Sequence, residues 1–333
     1  MKYALFLFIS LFVAPFICAQ NAGLWLGRVN EYNPEYRKIQ MDRELAGMNR
    51  QKNVIEADTD GQRYMAELTF LDALADFKED LEAYYSDLFD TAYTTAIETL
   101  NSEIAEIRRE SAATAHTRSK ELFQAGRISA HELEEKRIAL LEYESELIQT
   151  QSQKEDIVNY YHHITGMKWD PSIIEGFASV QWEPDRSRWV ENDLSYQRAE
   201  ITVQHARFLL DTLADNAPRF IQQKTELQMK NARLQLETAR FNAEPNYEKT
   251  VLRLNSLRKQ LNVLSQRLEL EKTQLEDYQQ RFEEGRISKE QYTQQTVNQL
   301  LAERSYLQGC NQYMQELVGA IVTVDKRPAE VLQ

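Results

Sequence analysis

Glycine and proline are scarce in this chain, with ten and seven copies among 333 residues, against a usual combined share of roughly 12%. Neither occurs between Gln62 and Ala125, and no proline separates Pro34 from Pro171. A backbone with so few turn-forming residues has few places to reverse, which predicts long helices and argues against a compact α/β enzyme. Cysteine is nearly absent too. Cys18 lies in the N-terminal segment and Cys310 is the other, so removal of that segment leaves no pair for an intramolecular disulfide. Basic residues are outnumbered, 39 Lys and Arg against 52 Asp and Glu, for a formal net charge of −13. Nucleic-acid binding needs a basic stripe, and this balance argues against one. Beyond Phe16 no stretch is apolar enough to cross a membrane as a helix.

The N-terminus reads as an export signal, residues 1–19. Met1-Lys2 supplies positive charge, Tyr3 to Phe16 is an apolar run, and Ile17-Cys18-Ala19 offers a cleavage site before Gln20. The run is shorter than the ~20 residues a spanning helix needs, and it contains Pro15. Lipidation of Cys18 is a second option, although the bulky Ile17 before it fits that signal poorly.

What the chain does have is a duplication. Leu122-Phe-Gln-Ala-Gly-Arg-Ile-Ser129 returns as Arg281-Phe-Glu-Glu-Gly-Arg-Ile-Ser288, with Gly126 and Gly285 standing 159 positions apart. The match continues through Leu133 and Tyr292, Ile138 and Val297, Leu141 and Leu300, Glu144 and Glu303. Asn33-Pro-Glu-Tyr36 and Asp193-Leu-Ser-Tyr196 are a fainter echo. A repeat of half the chain describes one duplicated helical unit rather than a solenoid.

Heptads set the fold class. Leu254, Leu261, Leu268, Leu275 and Phe282 recur every seven residues, with Leu257, Leu264 and Tyr278 at the alternating step and only Glu271 breaking the set. Val297, Leu300, Leu307, Met314, Val318 and Ile321 continue similar spacing. In the first half Leu74, Phe77, Leu81, Tyr84 and Leu88 do the same, then Ile97, Leu100, Ile104 and Ile107 after a phase shift. Such seams bury against neighbouring helices. The expected fold is all-α: long antiparallel coiled-coil helices in two tandem pseudo-repeats.

The predicted layout is a first repeat at 20–167, a linker at 168–189 and a second repeat at 190–333. The first repeat has a helix from Asn33 to about Ala57, a turn at Asp58–Gly61, a descent from Gln62 to Gln124, a Gly126 turn and a return to Thr165. The second runs from about Val190 to Ala214, turns at Asp215–Pro218, descends to Glu284, turns at Gly285 and returns to about Thr323. Each descent spans roughly 90 Å, and Pro245 should kink or break the second. Ser129 and Ser288 are placed to cap the returning helices. The linker carries Pro171, Gly176, Pro184 and three Trp, so it packs on something, with a short strand expected at Phe177–Trp182.

No phosphate-binding Gly loop follows a strand. His162 and His163 are adjacent, so on a helix they diverge by about 100° and do not chelate one ion. No carboxylate or Cys completes a ligand set with them. Pairs such as Glu134-Glu135 and Glu283-Glu284 suit solvated helix faces. No catalytic residue, metal or cofactor is expected.

The signal, Asn33-Pro34, Gly126-Arg-Ile-Ser129 with Thr165-Gly166 closing the return, and Gly285-Arg-Ile-Ser288 together resemble the TolC-like outer-membrane efflux protein family, over about Leu24 to Thr323. The resemblance implies a periplasmic α-helical tunnel built by three subunits, or by related subunits together. It implies that Gly126, Arg127, Ile128 and Ser129, with Gly285, Arg286, Ile287 and Ser288, form inner tips. There a periplasmic adaptor docks, linking the tunnel to an inner-membrane pump. The family often carries acidic residues past the tip turn, where they line the closed entrance. Glu132 and Glu135 suit this in the first half, whereas the second half has Gln291 and Gln294. The family also interrupts each half with a β-hairpin that contributes to a membrane barrel. Strands of about 9–11 residues have no room at Asp58–Gly61 or Asp215–Pro218, so the barrel is expected to be missing. The function implied is a component of a tripartite efflux or type I secretion system, in the periplasm and associated with the outer membrane of a Gram-negative-type cell. Two alternatives stand beside it: an exported coiled-coil scaffold without transport activity, and a lipid-anchored accessory subunit should Cys18 be modified.

Overall fold

The computed structural model describes residues 23–175, 177, 180 and 182–331; the signal segment lies outside them. Ten helices are described: α1 (residues 23–32), α2 (Pro34–Ile55), α3 (Asp60–Gln124), α4 (Ala130–Thr165), α5 (Ser172–Glu175), α6 (Arg186–Glu191), α7 (Leu194–Asp211), α8 (Arg219–Glu283), α9 (Lys289–Thr323) and α10 (Pro328–Val331). No strand is assigned among the described residues. The duplication is visible in the lengths: α3 and α8 both have 65 residues, and α4 and α9 have 36 and 35. The all-α fold of long paired helices is as the heptads predict.

Several boundaries differ from the sequence reading, each for a local reason. Asn33 does not begin the helical chain but joins two helices. Its backbone N–H donates to Val29 O (2.8 Å), while its side chain caps α2 by accepting from Glu35 N (2.8 Å) ahead of Pro34. Asp193 repeats the joint between α6 and α7, accepting from Tyr196 N, so the expected run from Val190 to Ala214 is two helices. Gly61 belongs to the first turn of α3 rather than to the reversal before it. A Cβ there would meet Phe208 Cε1 at 2.8 Å, so close packing against α7 requires the glycine. The real cap is Thr59, whose hydroxyl accepts from Gln62 N (3.2 Å) while Gln62 Oε1 accepts from the N–H groups of Asp58 and Thr59. The strand expected at Phe177–Trp182 falls partly outside the described residues, and Phe177, Val180 and Trp182 are not in one.

Pro245 does not break α8, which runs through it unbroken. An internal proline costs a helix about 3 kcal/mol. Here it is exposed, and the linker braces its flanks. Arg186 pairs with Glu244 (3.2 Å), Trp189 packs edge-on against Tyr247 (6.0 Å), and the Tyr247 hydroxyl donates to Pro184 O.

The helices gather into two compact units that do not follow the halves of the sequence. Of the described residues, one comprises those up to Asp87 with Glu175–Asn255 and those from Met314 on; the other comprises Leu88–Ile174 and Ser256–Tyr313. In the first, α2 packs on α3 through Arg50–Glu67 and through Arg43 over the Phe77 ring. There α3 meets α7 through Asp72–Arg198 and Tyr64–Phe208, and α7 meets α8 through Ala206, Met229 and Ala232. Its core holds a buried polar knot, in which the Asn30 amide donates to the Tyr85 hydroxyl (2.8 Å) and accepts from Tyr84 (3.2 Å). The Lys78 ammonium donates to Asn192 O (3.2 Å) and to Thr323 O (3.0 Å), where α6 and α9 end. Cations suit such helix C-termini, although burial lowers the pKa of this one.

In the second unit α3 and α9 are antiparallel. Leu100 and Ile104 cluster with Val297 and Leu300, Asn101 accepts from Arg304 (3.1 Å), and Asp90 accepts from Asn311 (2.7 Å). The seam of α8 faces inward here, with Leu261 and Leu268 buried, and thins until Phe282 is 37% exposed. Glu271, the seam's one polar position, accepts from the Gln295 amide of α9 (2.8 Å), and Gln295 is itself only 5% exposed. A buried polar pair of this kind fixes helix register. Glu271→Leu should therefore leave the Gln295 amide only its longer bond to Gln274 Oε1 (3.4 Å) and cost about 1 kcal/mol. Adding Gln295→Leu should restore stability to wild type or above. Urea-unfolding midpoints check this, and a double variant no better than the single would contradict it.

Candidate functional site

The two tip motifs fold into the same structure atom for atom in their backbone bonding. At the end of α3, Arg127 N donates to Leu122 O (2.8 Å) and Gly126 N to Phe123 O (2.9 Å). At the end of α8, Arg286 N donates to Arg281 O (2.8 Å) and Gly285 N to Phe282 O (2.9 Å). This is the Schellman closure, which requires a left-handed residue just past the helix. Gly126 and Gly285 supply it with φ of 68° and 70°. Three residues on, the chain starts a helix again with a reciprocal cap. Ser129 Oγ accepts from Glu132 N (3.1 Å) while Glu132 Oε2 accepts from Ser129 N (2.7 Å). Ser288 and Gln291 make the same two bonds at 3.2 and 3.0 Å.

That geometry gives Glu132 a task of its own. Its exposed carboxylate is tied to the Ser129 backbone, and that hydrogen bond holds its pKa below the usual 4.5. Gln291 does the same job without charge, so the Glu-to-Gln difference between the halves leaves the cap intact. Glu135 lies 3.4 Å from His131 Nε2. Glu134 is held low by its hydrogen bond with Arg137. The tip arginines diverge: Arg286 folds back on Glu284 (3.0 Å), while Arg127 is exposed and has no ion-pair partner among the described residues. Ile128 and Ile287 are half-buried behind them. The second hairpin is further closed by Phe282 stacked on Tyr292 at 5.3 Å.

Both tips belong to the same compact unit and lie at its same end. A groove of about 590 Å³ joins α3, α4 and α9 beside them, lined by Lys136 near the start of α4 and Glu290 at the start of α9. Small residues Ser111, Ala112, Ala115 and Ala139 line it as well, with Arg108 and Tyr143. Sequence reading missed this groove. Its signal was the run Ser111-Ala-Ala-Thr-Ala115, a stretch of small side chains in a helix otherwise rich in large ones. His162 and His163 are both exposed, and His162 Nδ1 lies 3.2 Å from Met167 O. Among the described residues no group of three His, Cys, Asp or Glu side chains converges, and no helix is long and apolar enough to cross a membrane.

No family model matches the chain, and no curated protein matches it in sequence. Solved structures match its fold. The Campylobacter jejuni CmeC outer membrane channel superposes with a TM-score of 0.56 at 14% identity, covering 91% of this chain and 85% of that one. A membrane protein from Pseudomonas aeruginosa gives 0.56 at 12% identity, over 93% and 92% of the two chains. The outer membrane protein VceC of Vibrio cholerae gives 0.55 at 11% identity, over 92% and 96%. The fold is thus shared with solved outer-membrane channel proteins.

Two predictions follow the tip geometry. Nothing lies within 4 Å of a Cβ placed on either tip glycine, so substitution there costs only backbone strain, about 1–2 kcal/mol for an L-residue in the left-handed region. Gly126→Ala and Gly285→Ala should each lower thermal stability by that amount, and the Asn variants by less; equal stability of Ala and Gly would contradict the turn assignment. Because the folded pKa of Glu132 is depressed, its contribution is fully present above about pH 4.5 and lost as pH falls through the lower folded value. The stability gap between wild type and Glu132→Ala should therefore shrink between pH 5 and 3, whereas that for Gln291→Ala should not change with pH.

Proposed function

We propose that this protein is a TolC-like component of a tripartite efflux or type I secretion system. Exported on its 1–19 signal, it forms a helical tunnel segment in the periplasm at the outer membrane, and its tips receive a periplasmic adaptor coupled to an inner-membrane pump. Its two repeats, 20–167 and 190–333, joined by the 168–189 linker, contribute one tip each, and copies of the chain or related subunits, three in all, complete the wall.

The observation that carries this reading is the pair of exposed tips at one end of one unit, built alike down to the residues a turn does not need. Gly and the capping Ser are dictated by local geometry. Arg127-Ile128 and Arg286-Ile287 are not, yet both copies have them. A shared Arg-Ile presented twice is what a partner recognising both hairpins would select. The likeness in fold to outer-membrane channels supports the same reading. Glu132 and Glu135 belong to the same end as the acidic residues of the entrance.

A scaffold without transport remains the second reading. It is favoured by one observation: the short reversals after α2 and α7 stand where the resembled family has its barrel hairpins, and no strand is found among the described residues.

Arg127→Glu with Arg286→Glu separates the two. Both side chains are exposed, so helicity and melting temperature should stay at wild type, while export falls by roughly tenfold or more and crosslinking to an adaptor disappears. Wild-type export from the double variant would reduce the tips to turns and leave the scaffold reading.

A further inference from the structure

A cavity of about 230 Å³ opens where α2, α3 and the end of α9 meet, and all of its lining belongs to one compact unit. Part of that lining is apolar: Phe77 and Leu81 lie one turn apart on α3, joined by Val322 of α9, and all three are buried. The remainder is mostly ionic. Arg43 comes from α2, Lys78 from α3, and Lys326 and Arg327 from the segment after α9, against two acids, Asp325 and Glu330. Four cations and two carboxylates give the cavity a formal charge of +2, in a chain whose total is −13.

Two of these cations are held in place with donors to spare. An ammonium has three donors. That of Lys78 gives two to Asn192 O and Thr323 O, and the third has no partner among the described residues. Burial lowers its pKa, and the charges of Asp325 and Asp193 offset this only in part. Arg43 rests over the Phe77 ring at 4.8 Å. Its ion pair with Asp325 spans 3.6 Å, too long for a hydrogen bond, and its guanidinium donates to no other group among the described residues. The acid itself needs a reason. α9 closes as the tips do, with Lys326 N donating to Ile321 O (3.2 Å) and Asp325 N to Val322 O (3.1 Å). Both tips place Gly in the left-handed position, whereas here Asp325 holds it at φ 56°. Gly adopts that conformation more easily than Asp, so the turn alone does not select a carboxylate. Asp325 is a counter-ion, one that balances the two cations without hydrogen-bonding either.

We propose that this cavity binds a small monocarboxylate with an apolar body, whose carboxylate is taken by Lys78 and Arg43 and whose body lies on Phe77, Leu81 and Val322. A planar carboxylate matches the guanidinium fork and accepts the spare ammonium proton as well. Apolar walls beside the charges strengthen such bonds by excluding water. Inorganic phosphate suits the cavity less, because it carries more charge against Asp325 and Glu330 and has no apolar body to cover the three buried side chains. The volume fits the class: a water molecule takes about 30 Å³ of liquid, so the space holds a carboxylate with a ring or a short chain. The site lies beyond the tunnel reading and does not depend on it.

Calorimetric titration of the purified full chain with benzoate, benzamide and inorganic phosphate tests this. Benzoate should bind saturably at one site. Benzamide has nearly its shape without the charge, and phosphate has charge without the apolar body; each should bind roughly tenfold more weakly or worse. Arg43→Gln should weaken benzoate by roughly tenfold. Asp325→Asn should instead tighten it, since the competing acid is removed and Asn tolerates the left-handed position. That variant is the discriminating one. If Asp325 were an internal clasp and nothing more, its replacement would lower the melting temperature and leave benzoate binding absent or unchanged, and the proposal would fall. Benzamide or phosphate binding as tightly as benzoate would overturn it equally, as would benzoate affinity that Arg43→Gln does not alter.

Discussion

Two helices of 65 residues can persist only if an apolar face of each is covered along its length, and the rest of this structure answers to that constraint. Propensity alone leaves long helices marginal in water; tertiary burial of a stripe stabilises them. The α9 helix returns along α8 and also packs on α3, so one helix covers parts of two seams. Burial of each large apolar side chain contributes about 1.5–3 kcal/mol, which outweighs the isolated surface ion pairs, worth 0–1 kcal/mol each. The polar exceptions matter more than the charges outside. Glu271 and Gln295 pair inside a seam that would otherwise permit one-heptad slips, and the Asn30–Tyr84–Tyr85 knot does the same where α1 meets α3.

Register fixed in this way also bears on where the tips end. A hairpin closed by Gly126 and another closed by Gly285 end at the same level only if α3, α4, α8 and α9 keep their offsets over many turns. The equal lengths of α3 and α8 supply that, and the matching caps begin the returning helices at equivalent residues. The outcome is a pair of exposed arginines, each with a half-buried isoleucine behind it, near a groove lined by small residues.

Much of the fold was legible because its causes are local or periodic. Heptads announce buried seams, left-handed glycines announce helix ends, and Ser followed three residues later by Glu or Gln announces a capped start. Asn33-Pro34 and Asp193 were legible as an echo but not as joints, because a side chain capping one helix leaves no sign that another precedes it. The role of Glu132 was obscured by its charge. Only the comparison with Gln291 in the same bonds reveals that the carboxylate serves the cap.

The amino-acid sequence by itself determined the helices, the duplication, the two tips and the conformation of their glycines, since each follows from residue periods and backbone sterics within a few turns. Only the tertiary structure decided the rest. Phe208 against Gly61, the linker braced around Pro245, the α3–α9 pairing, the groove beside the tips and the division of the apolar stripes into covered and uncovered ones all depend on which distant face meets which. A heptad states that a helix wants a neighbour; it does not state which face of which helix will provide it.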